Sequence, residues 1–180
     1  DDYLCAPDAL EKALAALDAE PEVSAIYCDL AYVSERGTTL ATRRFAREGP
    51  MEADMLGKLS LRTARNMFGI PLLVRTLALG SHRYDRQFKY IVDVDLSWTI
   101  SKNAPAWHIP DVMIANRYSA SNSTWGMLKD ASQEFMALAK KHGVALTAAE
   151  RRHIAFTNWS VGIQKQLFGT YERLRTRMGG

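Results

Sequence analysis

Two pairs of carboxylates are the residues whose types and spacing could do chemistry in this chain: Asp1-Asp2 at its start and Asp93-Val94-Asp95 near its middle. Carboxylate oxygens are hard ligands, and an adjacent pair in a turn before a helix can hold Mg²⁺ or Mn²⁺ while leaving positions open for a phosphate. A cation held so neutralises charge that builds on a diphosphate leaving group. Read alone, Asp1 and Asp2 are a solvated, frayed terminus, since acidic residues before a helix are common in any case. Asp93 and Asp95 share a face only on an extended backbone and point apart on a helix. Either one of them caps the helix that follows, or one is a general base. An Asp near a helix start is stabilised as its anion, so such a base acts by position on a hydroxyl that loses its proton late.

The other polar groups give weaker signals. Arg43, Arg44 and Arg47 could take a phosphate, but solvating a hairpin is the preferred reading because arginine is normally exposed. His82, His108, His142 and His153 fall in no metal-ligand spacing, and no GxGxxG, P-loop or GxSxG motif is present. Cys5 and Cys28 form no CxxC pair, and a reducing compartment is the default for so few cysteines. Trp98, Trp107, Trp125 and Trp159 read as core or interface before sugar platforms.

These groups need elements to position them. Pro7 to Asp18 predicts an amphipathic helix with Leu10, Leu14 and Leu17 at helical spacing, stopped by Glu20-Pro21. Val23 to Val33 is β-rich, and Ser34-Glu35-Arg36-Gly37 turns it into Thr38 to Arg44 as a hairpin. Glu52 to Leu59 has a short helical pattern. A buried four-residue apolar strand follows at Pro71. Asp93 to Lys102 predicts a helix with Asp93 or a neighbour at its cap and Leu96 and Ile100 on one face. Ala106 to Asn116 reads as a strand pair or one bent strand, broken at Pro110-Asp111. Beyond Trp125 the texture is helical, over Met127 to Lys141 and Ala148 to Arg177, separated by His142-Gly143-Val144. The expected organisation is α/β over residues 1–124 and a helical extension over 125–180.

Composition agrees with a packed domain. The 180 residues are 47% hydrophobic and 24% charged, which supports a core and excludes disorder, collagen-like and disulfide-scaffold classes. A net charge of +3 is too weak for a dedicated nucleic-acid binder, so no nucleic acid is expected as a partner. The charge is uneven: residues 1–60 hold six Lys/Arg against twelve Asp/Glu, and residues 121–180 hold nine against four. No apolar run reaches the length of a membrane span. The abrupt opening on Asp1-Asp2 reads as a cut inside a longer protein.

Taken in order, several segments resemble the second half of a family 2 glycosyltransferase with the GT-A fold. The opening Asp1-Asp2-Tyr3-Leu4-Cys5-Ala6-Pro7-Asp8-Ala9-Leu10 is similar to that family's Asp-x-Asp-Asp-Tyr-Leu-x-Pro-x-Ala-Leu. Tyr27-Cys28-Asp29 with Glu35-Arg36-Gly37 matches its hairpin. Asn66-Met67-Phe68-Gly69-Ile70-Pro71, Arg75, Tyr84-Asp85 and Asp93-Val94-Asp95-Leu96 match a block resembling Asn-x-x-Gly-x-Pro, a strand, Arg, a short helix, Tyr/Phe-Asp and an Asp-x-Asp-Leu helix start. The match covers about residues 1–120.

The resemblance implies a partial GT-A mixed sheet with flanking helices, and inverting transfer of a sugar from a nucleotide-sugar donor to a saccharide, lipid or protein hydroxyl. Carried over by position, Asp1 and Asp2 would ligate a divalent cation, Mn²⁺ or Mg²⁺, Asp93 would be the base, and Asn66, Asp95 and Arg117 would line the substrate. Two positions depart from the family: Val92 replaces the Glu before the base, and Ser119 stands where many members carry a His that reaches the metal. The processive Gln-x-x-Arg-Trp signature is absent, which favours single additions. The donor-binding half would precede residue 1, leaving the chain inactive alone. A cytoplasmic location is implied, with the inner face of the membrane as an option. The competing reading is a non-catalytic docking or assembly domain that uses the amphipathic tail, through the stripe Ile154, Trp159, Ile163 and Leu167, with a second copy of the chain as one partner. A third is association with a membrane surface through Arg173, Arg175 and Arg177.

Overall fold

The structure, a computed structural model, describes residues 2–45, 48–117 and 130–178, with side-chain surroundings as far as Gln164. Along the chain run β1 (Tyr3–Leu4), α1 (Ala9–Ala19), β2 (Ala25–Val33), β3 (Thr39–Arg43), β4 (Gly49–Met51), α2 (Ala53–Thr63), β5 (Pro71–Val74), α3 (Thr76–Leu79), α4 (Val92–Ser101), β6 (Ala106–Arg117), α5 (Ala131–Lys141) and α6 (Ala148–Met178). The fold is α/β, as the alternation of β-rich and helical segments predicts.

The strands make one open mixed sheet built on β2 and β6, which pair in parallel along their lengths. The outer edge of each is shared by two short antiparallel strands. On β2, β5 takes the first half and β3 the second. On β6, β4 takes the first half and β1 the second. A strand paired on both edges and covered on its faces is mostly apolar, and eight of the nine residues of β2 are buried, Asp29 among them. β5 is only half-buried, against the fully buried strand the sequence suggests, because it pairs with β2 alone and lies at an edge.

The Pro110-Asp111 break is a bulge in one bent strand. Cys28 lies opposite Ile109 and Asp29 opposite Val112, so Pro110 and Asp111 are extruded from the pairing. Pro110 has no N–H to give a ladder, and Asp111 turns outward to accept a hydrogen bond from Lys12 Nζ at 2.7 Å.

α1 lies on the sheet through Ala9, Ala13 and Leu17, while Leu10 and Leu14 are about half exposed (48% and 53%). Of the three leucines at helical spacing only Leu17 faces the sheet. Methyl-sized Ala9 and Ala13 let this helix approach the sheet closely, and the bulkier Leu10 and Leu14 are left outside. Arg75, just after β5, closes the end of α1 by donating from Nη2 to the Leu17 carbonyl and from Nε to the Val23 carbonyl at 2.8 Å.

The helices pack around Trp98, which is fully buried in α4. Its Nε1 donates to Asp54 Oδ1 at 2.9 Å, and its ring stacks on His142 with centroids 4.1 Å apart and planes 4° off parallel. A Cβ at Gly57 of α2 would lie 2.2 Å from the same indole, so only glycine lets α2 come this near. Phe135, Leu138 and Ile154 join Phe68, Phe88 and Val94 in one cluster. The segment beyond residue 125 thus shares the core of the α/β body. Ser119 and Trp125 lie outside the described residues, as does the start expected at Met127 for the helix that is described from Ala131.

Along α6 the expected single stripe divides in two. Ile154 and Asn158 are buried against the body, whereas Phe156, Trp159 and Ile163 face outward. The side chain of Leu167 lies outside the described residues.

Candidate active site

The site is built at the start of α4. Its cap is Ile91, which offers no side-chain hydrogen bond, so neither Asp93 nor Asp95 serves as the cap. The unpaired N–H groups ahead of the helix are met from α5 instead. The Glu134 carboxylate accepts from the backbone N–H of Lys89 at 3.0 Å, Tyr90 at 2.8 Å and Ile91 at 3.2 Å. Three converging donors and the positive end of the helix stabilise a carboxylate there.

With that role filled, Asp93 is available for another. It lies inside the first turn, where Oδ1 accepts the Val94 N–H at 2.9 Å and Oδ2 accepts the Asn66 amide at 2.7 Å. Asn66 is held rigidly to do this. Its Oδ1 accepts the N–H groups of Phe68 and Gly69 at 2.9 and 3.0 Å, and its Nδ2 also donates to the Gly69 carbonyl at 2.9 Å. Gly69 closes the turn at φ +87°, a conformation that suits glycine. The Asn-x-x-Gly spacing is thus an Asx turn that aims a neutral donor at Asp93. Asn66, expected to line the substrate, has both polar ends engaged within the protein and acts as the holder of Asp93.

The electrostatics run against the expectation from a helix start. Burial pushes the Asp93 carboxyl above the ordinary aspartate value, opposed by the hydrogen bonds from Val94 and Asn66, which pull it down. Desolvation wins, and Asp93 is a stronger base than a surface aspartate. Close by, the buried Tyr27 hydroxyl feels the Asp93 charge and is pushed up to about 12, chiefly by burial. Ser97 and Ser101 lie beside that hydroxyl without reaching hydrogen-bond geometry. Tyr27 packs on Phe68 with ring centroids 6.5 Å apart, and the Ser97 and Ser101 neighbours of its hydroxyl are neutral.

Asp95 turns the other way, as positions two apart on a helix must. It is 2% exposed, with Lys141 Nζ 2.7 Å from Oδ2 and His142 Nε2 3.0 Å from Oδ1. The expectation that Asp95 lines the substrate is corrected: both oxygens are committed to the end of α5. Lys141 reaches Asp85 as well, at 2.8 Å, and holds that carboxyl down at about 2.

The remaining expected residues lie elsewhere. Asp1 and Arg47 are outside the described residues. Asp2 is exposed just ahead of β1, and the pairing of Tyr3 with Ala115 sets it beside the last residues of β6. There Arg117 donates from Nη1 to the Glu35 carbonyl at 2.6 Å and lies over the Tyr3 ring at 5.4 Å. Among the described residues no group of three His, Cys, Asp or Glu is placed to hold a metal ion. Of the expected pair, Asp2 alone lies among the described residues and offers one carboxylate. Arg43 donates to the Asn66 carbonyl and covers the Phe45 ring at 4.3 Å, and Arg44 lies 3.5 Å from Asp29. Both arginines thus brace the turn and hairpin beyond merely solvating them.

Glu134, Lys141, His142 and Tyr27 were not singled out from the sequence as parts of this region. The Asp93-Val94-Asp95 pair carried a local signal, and the Asn66–Gly69 block entered through the resemblance. No protein-family model matches the chain, and no curated protein matches its sequence.

Proposed function

We propose that the chain is the acceptor-side half of an inverting glycosyltransferase in which Asp93 is the general base. The observation that carries this reading is a desolvated carboxylate at the first turn of α4, fixed by one neutral amide at 2.7 Å and raised in proton affinity. Such a group can take the proton of an acceptor hydroxyl as that oxygen bonds to the anomeric carbon, while the nucleoside diphosphate leaves with the electron pair of its bond. Asn66 holds the carboxylate in one rotamer, and the surrounding Tyr27 and Phe68 supply a dry environment in which it is a better base. The mixed sheet, a parallel central pair with short antiparallel flanks, is compatible with the second half of a GT-A domain.

On this reading the nucleotide-sugar is held by a separate nucleotide-binding half. Asp1 and Asp2 contribute to a Mn²⁺ or Mg²⁺ site that needs further ligands, and the acceptor is a saccharide, lipid or protein hydroxyl. In a protein joining this chain to such a half, Asp93→Asn abolishes transfer and leaves nucleotide binding intact; retained transfer removes Asp93 from the role. The isolated chain should show no Mn²⁺-dependent UDP binding in calorimetry, and binding there would overturn the division into halves.

A second reading, a docking domain without catalysis, is favoured by the outward Phe156, Trp159 and Ile163 of α6. Removing the tail would not test it, because Phe135 and Ile154 belong to the core. Surface substitutions in α6 are the appropriate probe.

A further inference from the structure

We infer that the outward face of α6 is a docking surface for an anionic lipid bilayer. Phe156 and Trp159 are 63% and 62% exposed, their rings meet at 5.8 Å, and Ile163 continues the same face one turn on. Side chains at this spacing form one stripe along a helix. Two bulky aromatics left in water on a helix that already buries its opposite face through Ile154 and Asn158 call for an occupant.

Charge decides which occupant. From Ala148 to Met178 the sequence carries six Lys/Arg against two Asp/Glu, and one of those acids, Glu150, already faces Arg62 at 3.6 Å. Arg152, exposed, opens the period of the stripe one turn before Phe156. The same sequence period continues through Gln166, Thr170, Arg173 and Arg177. A second copy laid against this helix would bring together two chains with the same cationic excess, six bases against two acids in each, with Glu150 already engaged. That is a poor helix pair. An anionic bilayer answers both features: aromatic rings enter the headgroup boundary, and arginines on the same helix meet lipid phosphates. No helix among the described residues is long and apolar enough to cross a membrane, so the contact would be peripheral.

The test is vesicle flotation of the whole chain with phosphatidylcholine alone and with phosphatidylcholine–phosphatidylserine mixtures. Binding is expected only to the mixed vesicles and is weakened by salt. Trp159→Ser and Phe156→Ser, at exposed positions that leave the core intact, each lower the partition coefficient about tenfold through lost apolar burial. Arg152→Glu lowers it on the order of tenfold, through loss of one cationic contact and gain of a repulsive one. No binding to either vesicle, or binding indifferent to these variants, overturns the inference. So does a concentration-dependent dimer in sedimentation that the same variants dissolve, because the face would then belong to a second copy. None of these readouts depends on sugar transfer.

Discussion

Asp93 and Asp95 stand two residues apart in one turn of α4 and live in opposite circumstances. Asp93 faces the Asn66 turn, meets the neutral Asn66 amide and the Val94 N–H, has no cation paired with it among the described residues, and is pushed toward its protonated form by burial. Asp95 faces the end of α5, meets Lys141 and His142, and is nearly inaccessible. One side of the helix keeps a carboxylate poised and the other spends one on attachment. The difference teaches that a repeated residue type on a helix start is a statement about two surfaces, and that only the partners across each surface assign the roles.

The largest expected effect falls on the poised side. Asp93→Asn lowers transfer about 10³-fold in a protein that holds both halves, the scale of a lost general base, while folding stability at neutral pH stays level or rises. The sign follows from the direction of the shift. A carboxyl raised above its unfolded value weakens the fold as pH climbs through that window, so the variant gains on the wild type there and loses its advantage in acid. Urea titrations at several pH values check this, and a clear loss of stability would make Asp93 a second anchor.

Asp95→Ala comes next, with roughly 3 kcal/mol of stability lost because a buried charge pair is left half made. Its effect on transfer should follow from unfolding alone. Gly57→Ala strains the same side more indirectly, by forcing a Cβ into the Trp98 ring that stacks on His142, and costs roughly 2 kcal/mol by denaturation. Glu134→Gln should cost about 1–2 kcal/mol, read as faster hydrogen exchange at the Lys89, Tyr90 and Ile91 amides. The smallest effect is at Asp85. Lys141 holds its carboxyl down at about 2, so the stability it contributes is present above the ordinary aspartate value and fades as pH falls through about 2. Lys141→Met raises the Asp85 carboxyl part of the way, as carboxyl carbon NMR reads, because the Gln87 hydrogen bonds still hold it down, and the variant carries a separate stability cost by unpairing Asp95.

What could be read from the sequence follows the range of the contacts. The β2–β3 hairpin, α4 and the bent β6 are each announced by neighbours: a Ser-Glu-Arg-Gly turn, an apolar helical period, a proline within a strand. The Asn66–Gly69 block entered through the family resemblance, and its turn is local, with hydrogen bonds spanning three residues. The cap of α4 was not legible, since Glu134 acts from 43 residues beyond Ile91. Nor was the fate of Asp95, tied to residues 46 and 47 positions on. The apolar face of α1 was misread for a related reason: spacing ranks leucine above alanine, but the distance between helix and sheet favours the smaller residue. His108 and Asp29, buried together at 3.1 Å though 79 positions apart, gave no signal either.

The parallel pairing of β2 with β6 also sets a schedule for folding. Ser24, at the threshold of β2, bonds to Pro105 81 residues later, and the register runs forward from there. During synthesis α1, the hairpin and the start of α4 can all emerge while β2 still lacks its long neighbour. One edge of its backbone, a row of N–H and C=O groups, then waits unpaired. Closure of so long a loop is slow, so the nascent chain passes through an interval in which β2 can be captured by a strand from another molecule. Substitutions that delay β6 should therefore show first as lost yield on expression, before any change in the stability of the protein that does fold.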